Sequence, residues 1–128
     1  MDLIKEKKRF SIIARIKSAT HAWRGIGILI RTTHNFWLQI FFGLLAVYLG
    51  FVFSISQTEW LFVIFSIGLV VISEALNTAF EIDIDLTPNY HPYARDTKDV
   101  AAAAVLMSVM LSIIIGGIIC IPKILLII

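Results

Sequence analysis

The chain has 128 residues, of which 59% are hydrophobic and only 16% are charged, and its formal net charge is +2. About 25% of the residues of a typical soluble domain are charged, so this composition excludes an ordinary soluble protein. It predicts an integral membrane protein with one domain, in contact with the lipid bilayer and with no nucleic-acid partner. The single cysteine, Cys120, also excludes a disulfide or a cysteine metal cluster within one chain.

The first predicted element is an amphipathic helix within the cytoplasmic segment 1–35. Between Arg9 and Ile30, basic and apolar side chains recur at helical spacing, with Arg15, Lys17 and Arg24 among the basic ones. This pattern is typical of a helix that lies on a membrane surface with its cations near headgroups or a bound anion. A simple membrane anchor is the alternative interpretation.

Three apolar segments follow, residues 36–55, 60–82 and 100–121, and each reaches the roughly 20 residues that cross a bilayer. Eight of the eleven Lys and Arg residues precede the first segment, whereas the link from Ser56 to Glu59 has none. Cytoplasmic loops carry an excess of Lys and Arg. The sequence therefore predicts an all-α membrane protein of three transmembrane helices plus the surface helix, with the N-terminus cytoplasmic and the C-terminus outside.

The second apolar segment ends in a series of polar residues. No charged residue lies between Trp60 and Ser73, and the series Glu74, Asn77, Glu81, Asp85 then begins. Steps of three, four and four place these four side chains on one stripe of a helix. Ionisable residues inside a membrane span usually face the protein interior and mark a functional site. The stripe therefore predicts a site that handles a cation or a proton at the membrane edge.

The link between the second and third segments carries further polar residues. Pro88 and Pro92 argue against a continuous helix between residues 86 and 92. Beyond them, Arg95 and Lys98 are cations suited to phosphate. Three spans of ordinary length enclose little of a polar site, so we also expect an oligomer.

Together these residues suggest phosphoryl transfer to an alcohol that arrives from the bilayer. Glu81 and Asp85 offer the oxygen ligands that Mg²⁺ takes when it bridges to substrate phosphates, and Glu74 is placed to act as a general base. Two alternatives remain open. The charges could be a solvated cluster at the membrane interface, or the protein could be a small oligomeric transporter or proton pore with Glu74 as its relay.

Three motifs carry a family resemblance. They are Glu-Ala-Leu-Asn-Thr-Ala-Phe-Glu at 74–81 followed by Asp85, Tyr-His-Pro at 90–92, and Lys-Asp-Val-Ala-Ala-Ala-Ala-Val-Leu at 98–106. The chain resembles the prokaryotic diacylglycerol kinase family, which includes the undecaprenol kinases. The likeness extends from residues 22–25 to residues 121–123.

This resemblance implies a small lipid kinase of the bacterial inner membrane, a homotrimer with active sites shared between subunits. ATP with Mg²⁺ would enter from the cytoplasm, and the lipid alcohol would enter from the membrane, with undecaprenol favoured over diacylglycerol. Glu74 matches the catalytic base and Glu81 a metal ligand. The positions that match nucleotide contacts are Arg15, His21, Asn77, Glu81, Asp85, Tyr90, His91, Lys98 and Asp99.

The chain departs from the family pattern in three places. Thr32 and Thr33 stand where many members have a glutamate that helps to hold the metal, and a hydroxyl is a weaker Mg²⁺ ligand than a carboxylate. The loop 86–90 is one residue shorter than usual, and Asp96 adds an acid near the expected phosphate site. An inactive, kinase-like scaffold is therefore a third hypothesis.

Overall fold

The computed structural model describes residues 9–86 and 91–128. Within these residues the chain forms four helices, α1 (Ile12–Thr32), α2 (His34–Val52), α3 (Gln57–Asp85) and α4 (Pro92–Ile127). The predicted all-α class is confirmed. The chain divides into two units, with α1 in the first and α2, α3 and α4 in the second.

Helix α1 carries large apolar side chains that are exposed within the single chain, including Ile13, Ile16 and Trp23. Its hydroxyl groups bond to its own backbone, since Thr20 Oγ1 donates to the Ile16 carbonyl at 3.1 Å and Thr32 Oγ1 donates to the Ile28 carbonyl at 2.7 Å. The exposed apolar side chains are available to a membrane surface. That this helix lies on such a surface stays a prediction.

Helices α2, α3 and α4 are each long and apolar enough to cross a membrane, in agreement with the three predicted spans. Their large apolar side chains, such as Phe41, Phe65 and Ile113, are exposed. In α3 the buried side chains are polar instead: Ser66, Ser73, Glu74, Asn77 and Thr78. This is the reverse of a soluble protein, and it suits helices whose outer surface meets lipid.

The turn between α2 and α3 explains why α2 ends at Val52 rather than at the predicted residue 55. Ser54 has a φ of 49°, a left-handed conformation that no helix continues through. Ser56 then caps α3: its Oγ accepts from the Glu59 backbone N–H at 3.2 Å, and Glu59 Oε1 accepts from the Ser56 N–H at 3.1 Å. This capping box fixes the start of α3 at Gln57.

The second connection places more of the chain in α4 than the hydropathy pattern predicts. Helix α4 begins at Pro92, eight residues before the predicted membrane span 100–121, because proline is favoured in the first turn of a helix. The His91 Nδ1 accepts a hydrogen bond from the Tyr93 backbone N–H at 3.1 Å and caps the helix. Residues 87–90, which include Pro88 and Tyr90, lie outside the described part of the chain.

Helix α3 is the central element of the second unit. It packs extensively against α4 and more lightly against α2. Near the start of α3, Lys123 Nζ of α4 lies 2.7 Å from Glu59 Oε2, and farther along Ser112 Oγ donates to the Ser66 carbonyl at 3.4 Å. Helix α3 is therefore held between two neighbouring helices.

Gly50 provides a test of the α2–α3 packing. A Cβ added to Gly50 would lie 2.6 Å from Cη2 of Trp60, whereas a Cβ added to Gly68 would meet nothing within 4 Å. We expect Gly50→Ala to lower the free energy of unfolding by about 1–3 kcal/mol, because the Trp60 ring would have to move. Denaturation in detergent, with Gly68→Ala as the matched control, measures this. Equal stability of the two variants would contradict the close contact.

Candidate active site

Glu74 is the most deeply buried side chain of α3, with 1% of its surface exposed. Gln39 of α2 donates a hydrogen bond from Nε2 to Glu74 Oε2 at 3.0 Å. A buried carboxylate is costly unless it is hydrogen-bonded, and here the donor comes from a neighbouring helix 35 residues away in the sequence. Glu74 is thus shielded from solvent and held by an uncharged group.

One turn further along α3, Asn77 and Glu81 interact. Asn77 Nδ2 donates to Glu81 Oε1 at 3.3 Å, and Asn77 is buried whereas Glu81 is half-buried. Two polar atoms here, Asn77 Oδ1 and Thr78 Oγ1, are buried without a hydrogen-bond partner among the described residues. Buried polar atoms are normally paired, so these two oxygens are exceptions within the described part of the chain.

The stripe ends in an ion pair between α3 and α4. Lys98 Nζ lies 2.6 Å from Asp85 Oδ1, with 38% of the lysine side chain and 66% of the aspartate side chain exposed. So exposed a pair stabilises a fold by about 0–1 kcal/mol at most. The more important effect of this ion pair is to place the Lys98 cation beside the end of the polar stripe.

Of the other predicted site residues, two belong to α4 or its cap, two lie on α1, and one lies outside the described part of the chain. His91 caps α4 and its ring lies 5.2 Å from that of Tyr93, centroid to centroid, and Asp99 is exposed on the same helix. Tyr90 lies outside the described residues. Arg15 and His21 are exposed on α1, which belongs to the first unit.

A cavity of about 460 Å³ lies between α3 and α4, beside the polar stripe. Its lining is mostly apolar and includes Asn77 of the stripe together with Tyr93, Asp96 and Thr97 of α4. The sequence pattern did not assign Tyr93 or Thr97 to the site, because nothing in it showed which face of α4 meets α3.

Gln39 was also missed by the sequence analysis. The available signal was weak: a lone amide within the first apolar segment, 36–55. A polar residue of this kind inside a span often faces another helix, but the sequence does not show which one. Only the packing of α2 on α3 brings it to Glu74.

The donor set near Glu81 fits a magnesium ion. Among the described residues, no three His, Cys, Asp or Glu side chains form a cluster that could hold a metal. Mg²⁺ does not require one, since it is commonly bound by one or two carboxylates plus substrate phosphates and waters. Glu81 would supply the carboxylate, and the unpartnered Asn77 Oδ1 would supply a second oxygen.

Comparison with known proteins adds to this geometry. The family model described as "Prokaryotic diacylglycerol kinase" matches residues 20–120. The chain is 40% identical over 108 residues to the undecaprenol kinase of Bacillus subtilis (strain 168), covering 84% of this chain and 88% of the relative. It is 33% identical over 110 residues to a diacylglycerol kinase of Synechocystis, covering 84% of this chain and 63% of the relative.

A third relative is the diacylglycerol kinase of Escherichia coli (strain K12), 30% identical over 100 residues that cover 77% of this chain and 82% of the relative. The matched residues include the whole polar stripe of α3 and its ion pair with α4. The chain belongs to the prokaryotic diacylglycerol kinase family.

Proposed function

We propose that this multi-pass membrane protein is an ATP- and Mg²⁺-dependent lipid kinase that phosphorylates a membrane lipid alcohol. Undecaprenol is the first choice of substrate and diacylglycerol the second. The observation that carries the proposal is the buried Glu74 carboxylate at the head of the α3 stripe. The names of the relatives, an undecaprenol kinase at 40% identity and diacylglycerol kinases at 33% and 30%, support the reaction and the order of substrates.

In the proposed reaction Glu74 acts as the general base. The lipid hydroxyl loses its proton to the Glu74 carboxylate, and the lipid oxygen forms a bond to the γ-phosphorus of ATP. The bond from that phosphorus to the bridging β,γ-oxygen breaks, and ADP leaves. Because exposed apolar side chains cover the outside of α2 and α3, an acyl or prenyl chain can lie against these helices while its hydroxyl reaches the stripe.

The nucleotide would be held farther along the stripe. Glu81 lies seven residues after Glu74, about 10 Å along the helix axis at roughly 1.5 Å per residue. Glu81 and Asn77 Oδ1 would hold Mg²⁺, which when bound offsets negative charge on the phosphates. The ammonium group of Lys98 has three donors, so it can bond to Asp85 and to a phosphate oxygen at once.

The remaining parts of the proposal concern the surroundings of the site. The predicted orientation puts the Asp85–Lys98 end of the stripe on the cytoplasmic side of a bacterial inner membrane, where ATP is available. We also propose a homotrimer, because the three long apolar helices of one chain enclose little of a polar site. His91, Asp99, Tyr90, Arg15 and His21 complete the proposed nucleotide contacts.

The proposal is tested with purified protein, labelled ATP and Mg²⁺, assayed in parallel with undecaprenol and with diacylglycerol. We expect label to enter the lipid fraction with both alcohols, and faster with undecaprenol. A transporter or pore would show no ATP consumption that depends on added lipid alcohol. An inactive scaffold would transfer no label to either lipid, and that outcome would contradict the proposal.

A further inference from the structure

We propose that Gln39 is a positioning residue for Glu74: its amide N–H fixes one carboxylate oxygen, Oε2, so that the other, Oε1, faces the lipid hydroxyl. The inference rests on the proposed function, since it names a second residue in the same reaction. The contact that carries it is the 3.0 Å hydrogen bond from Gln39 Nε2 to Glu74 Oε2.

The helix packing holds Gln39 in place. On α2, Phe36 lies three residues before Gln39 and is buried, and Gly43 lies four residues after it. A Cβ at Gly43 would lie 3.4 Å from the Ile67 side chain of α3, so this side chain packs against the α2 backbone there. Residues three and four apart share a helix face, and therefore Phe36, Gln39 and Gly43 form the face that meets α3.

The same argument applies to α3. Ile67 precedes Glu74 by seven residues, or two turns, so both side chains point toward α2. The contact at Gly43 and the hydrogen bond at Gln39 are thus two points of one helix interface. The amide is attached to a rigid element rather than to a loop, and this suits a group that must hold a carboxylate in one orientation.

The chemistry of the pair is also favourable. A glutamate side chain in water can rotate freely, whereas a base must stay within reach of the proton that it removes. A neutral amide holds the carboxylate in place. A cation in the same position would compete with the proton for the negative charge of the carboxylate. The other amide atom, Gln39 Oε1, is buried without a partner among the described residues. Burying an unpaired oxygen costs free energy, and a residue with a purely structural role would not need to carry that cost.

The test is steady-state kinetics of Gln39→Leu with ATP and undecaprenol. Leucine has a similar size but no donor, and we expect kcat to fall about 10- to 100-fold because the base loses its alignment. The KM values for ATP and lipid should stay within about twofold, since the interaction matters in the transition state. Gln39→His, which restores a ring N–H donor, should regain most of the lost turnover.

The control variant is Ser112→Ala, which removes a polar contact between α3 and α4 away from the stripe and should keep wild-type turnover. If Gln39→Leu does not fold, Gln39→Met replaces it, because methionine keeps the chain length and also lacks a donor. Normal kcat in the donor-free variant, or equal losses in the leucine and histidine variants, would overturn the inference.

Glu74→Gln, assayed alongside, separates this failure from failure of the proposed function. An inactive Glu74→Gln together with a fully active Gln39→Leu would refute only the positioning role. An active Glu74→Gln variant would show that Glu74 is not the base. The inference about Gln39 would then be refuted as well.

Discussion

Glu74→Gln is expected to lower kcat by about 10²- to 10⁴-fold, the range that a positioned general base contributes, while the protein remains folded. The glutamine side chain has nearly the same shape as glutamate, so the 1%-exposed site stays filled, but an amide cannot accept the proton. Turnover of lipid alcohol with labelled ATP measures the loss, and circular dichroism with size-exclusion chromatography reports on the fold.

Glu59→Gln is the matched control, because it makes the same substitution on the same helix. Glu59 sits at the other end of α3, paired with Lys123, and glutamine also satisfies a capping box. This variant should keep turnover within about twofold of wild type. If both variants were equally active, Glu74 would not be the base; if both were equally inactive, the loss would reflect damage to α3.

Glu81→Ala is the second change with a large expected effect. Removing a metal ligand should raise the Mg²⁺ concentration for half-maximal activity by about 10- to 100-fold, since even indirect partners of a metal site contribute this much. The KM for ATP should rise as well, because the nucleotide binds with the metal. A Mg²⁺ titration at several ATP concentrations measures both quantities.

Two further variants separate the charge of Glu81 from its hydrogen bond. Glu81→Gln can still accept the hydrogen bond from Asn77 Nδ2 but has no negative charge, and it should show a similar Mg²⁺ defect. Asp83→Ala removes an exposed carboxylate two residues away and off the stripe, and it should leave the Mg²⁺ dependence unchanged. An unaltered Mg²⁺ requirement in Glu81→Gln would refute the ligand role.

The Glu74 and Glu81 variants test two positions on α3 that differ in burial. Along α3 the side chains pass from the buried Glu74 through the half-buried Glu81 to the exposed Asp85. A lipid alcohol and a charged nucleotide prefer different surroundings, and phosphoryl transfer depends mainly on positioning and electrostatics. A single helix that crosses from one environment to the other can therefore bring the two substrates together with few residues.

Much of this organisation follows from local patterns in the sequence. Span length and composition predict α2, α3 and α4, because a helix must satisfy its own backbone in lipid and needs about 20 apolar residues to do so. The helical period alone placed Glu74, Asn77, Glu81 and Asp85 on one face. The family motifs at 74–81 and 98–106 were also readable in the sequence, and the comparison with known relatives confirms the family.

The tertiary structure decided the contacts between residues far apart in the chain. The Gln39–Glu74 hydrogen bond and the Gly50–Trp60 contact join different helices, and no periodicity within one helix shows which neighbour it will meet. Packing also placed the Lys98 ammonium group beside Asp85. Helix rotation and register depend on how many side chains fit together at once, and for this reason the partner of Glu74 became visible only in the folded chain.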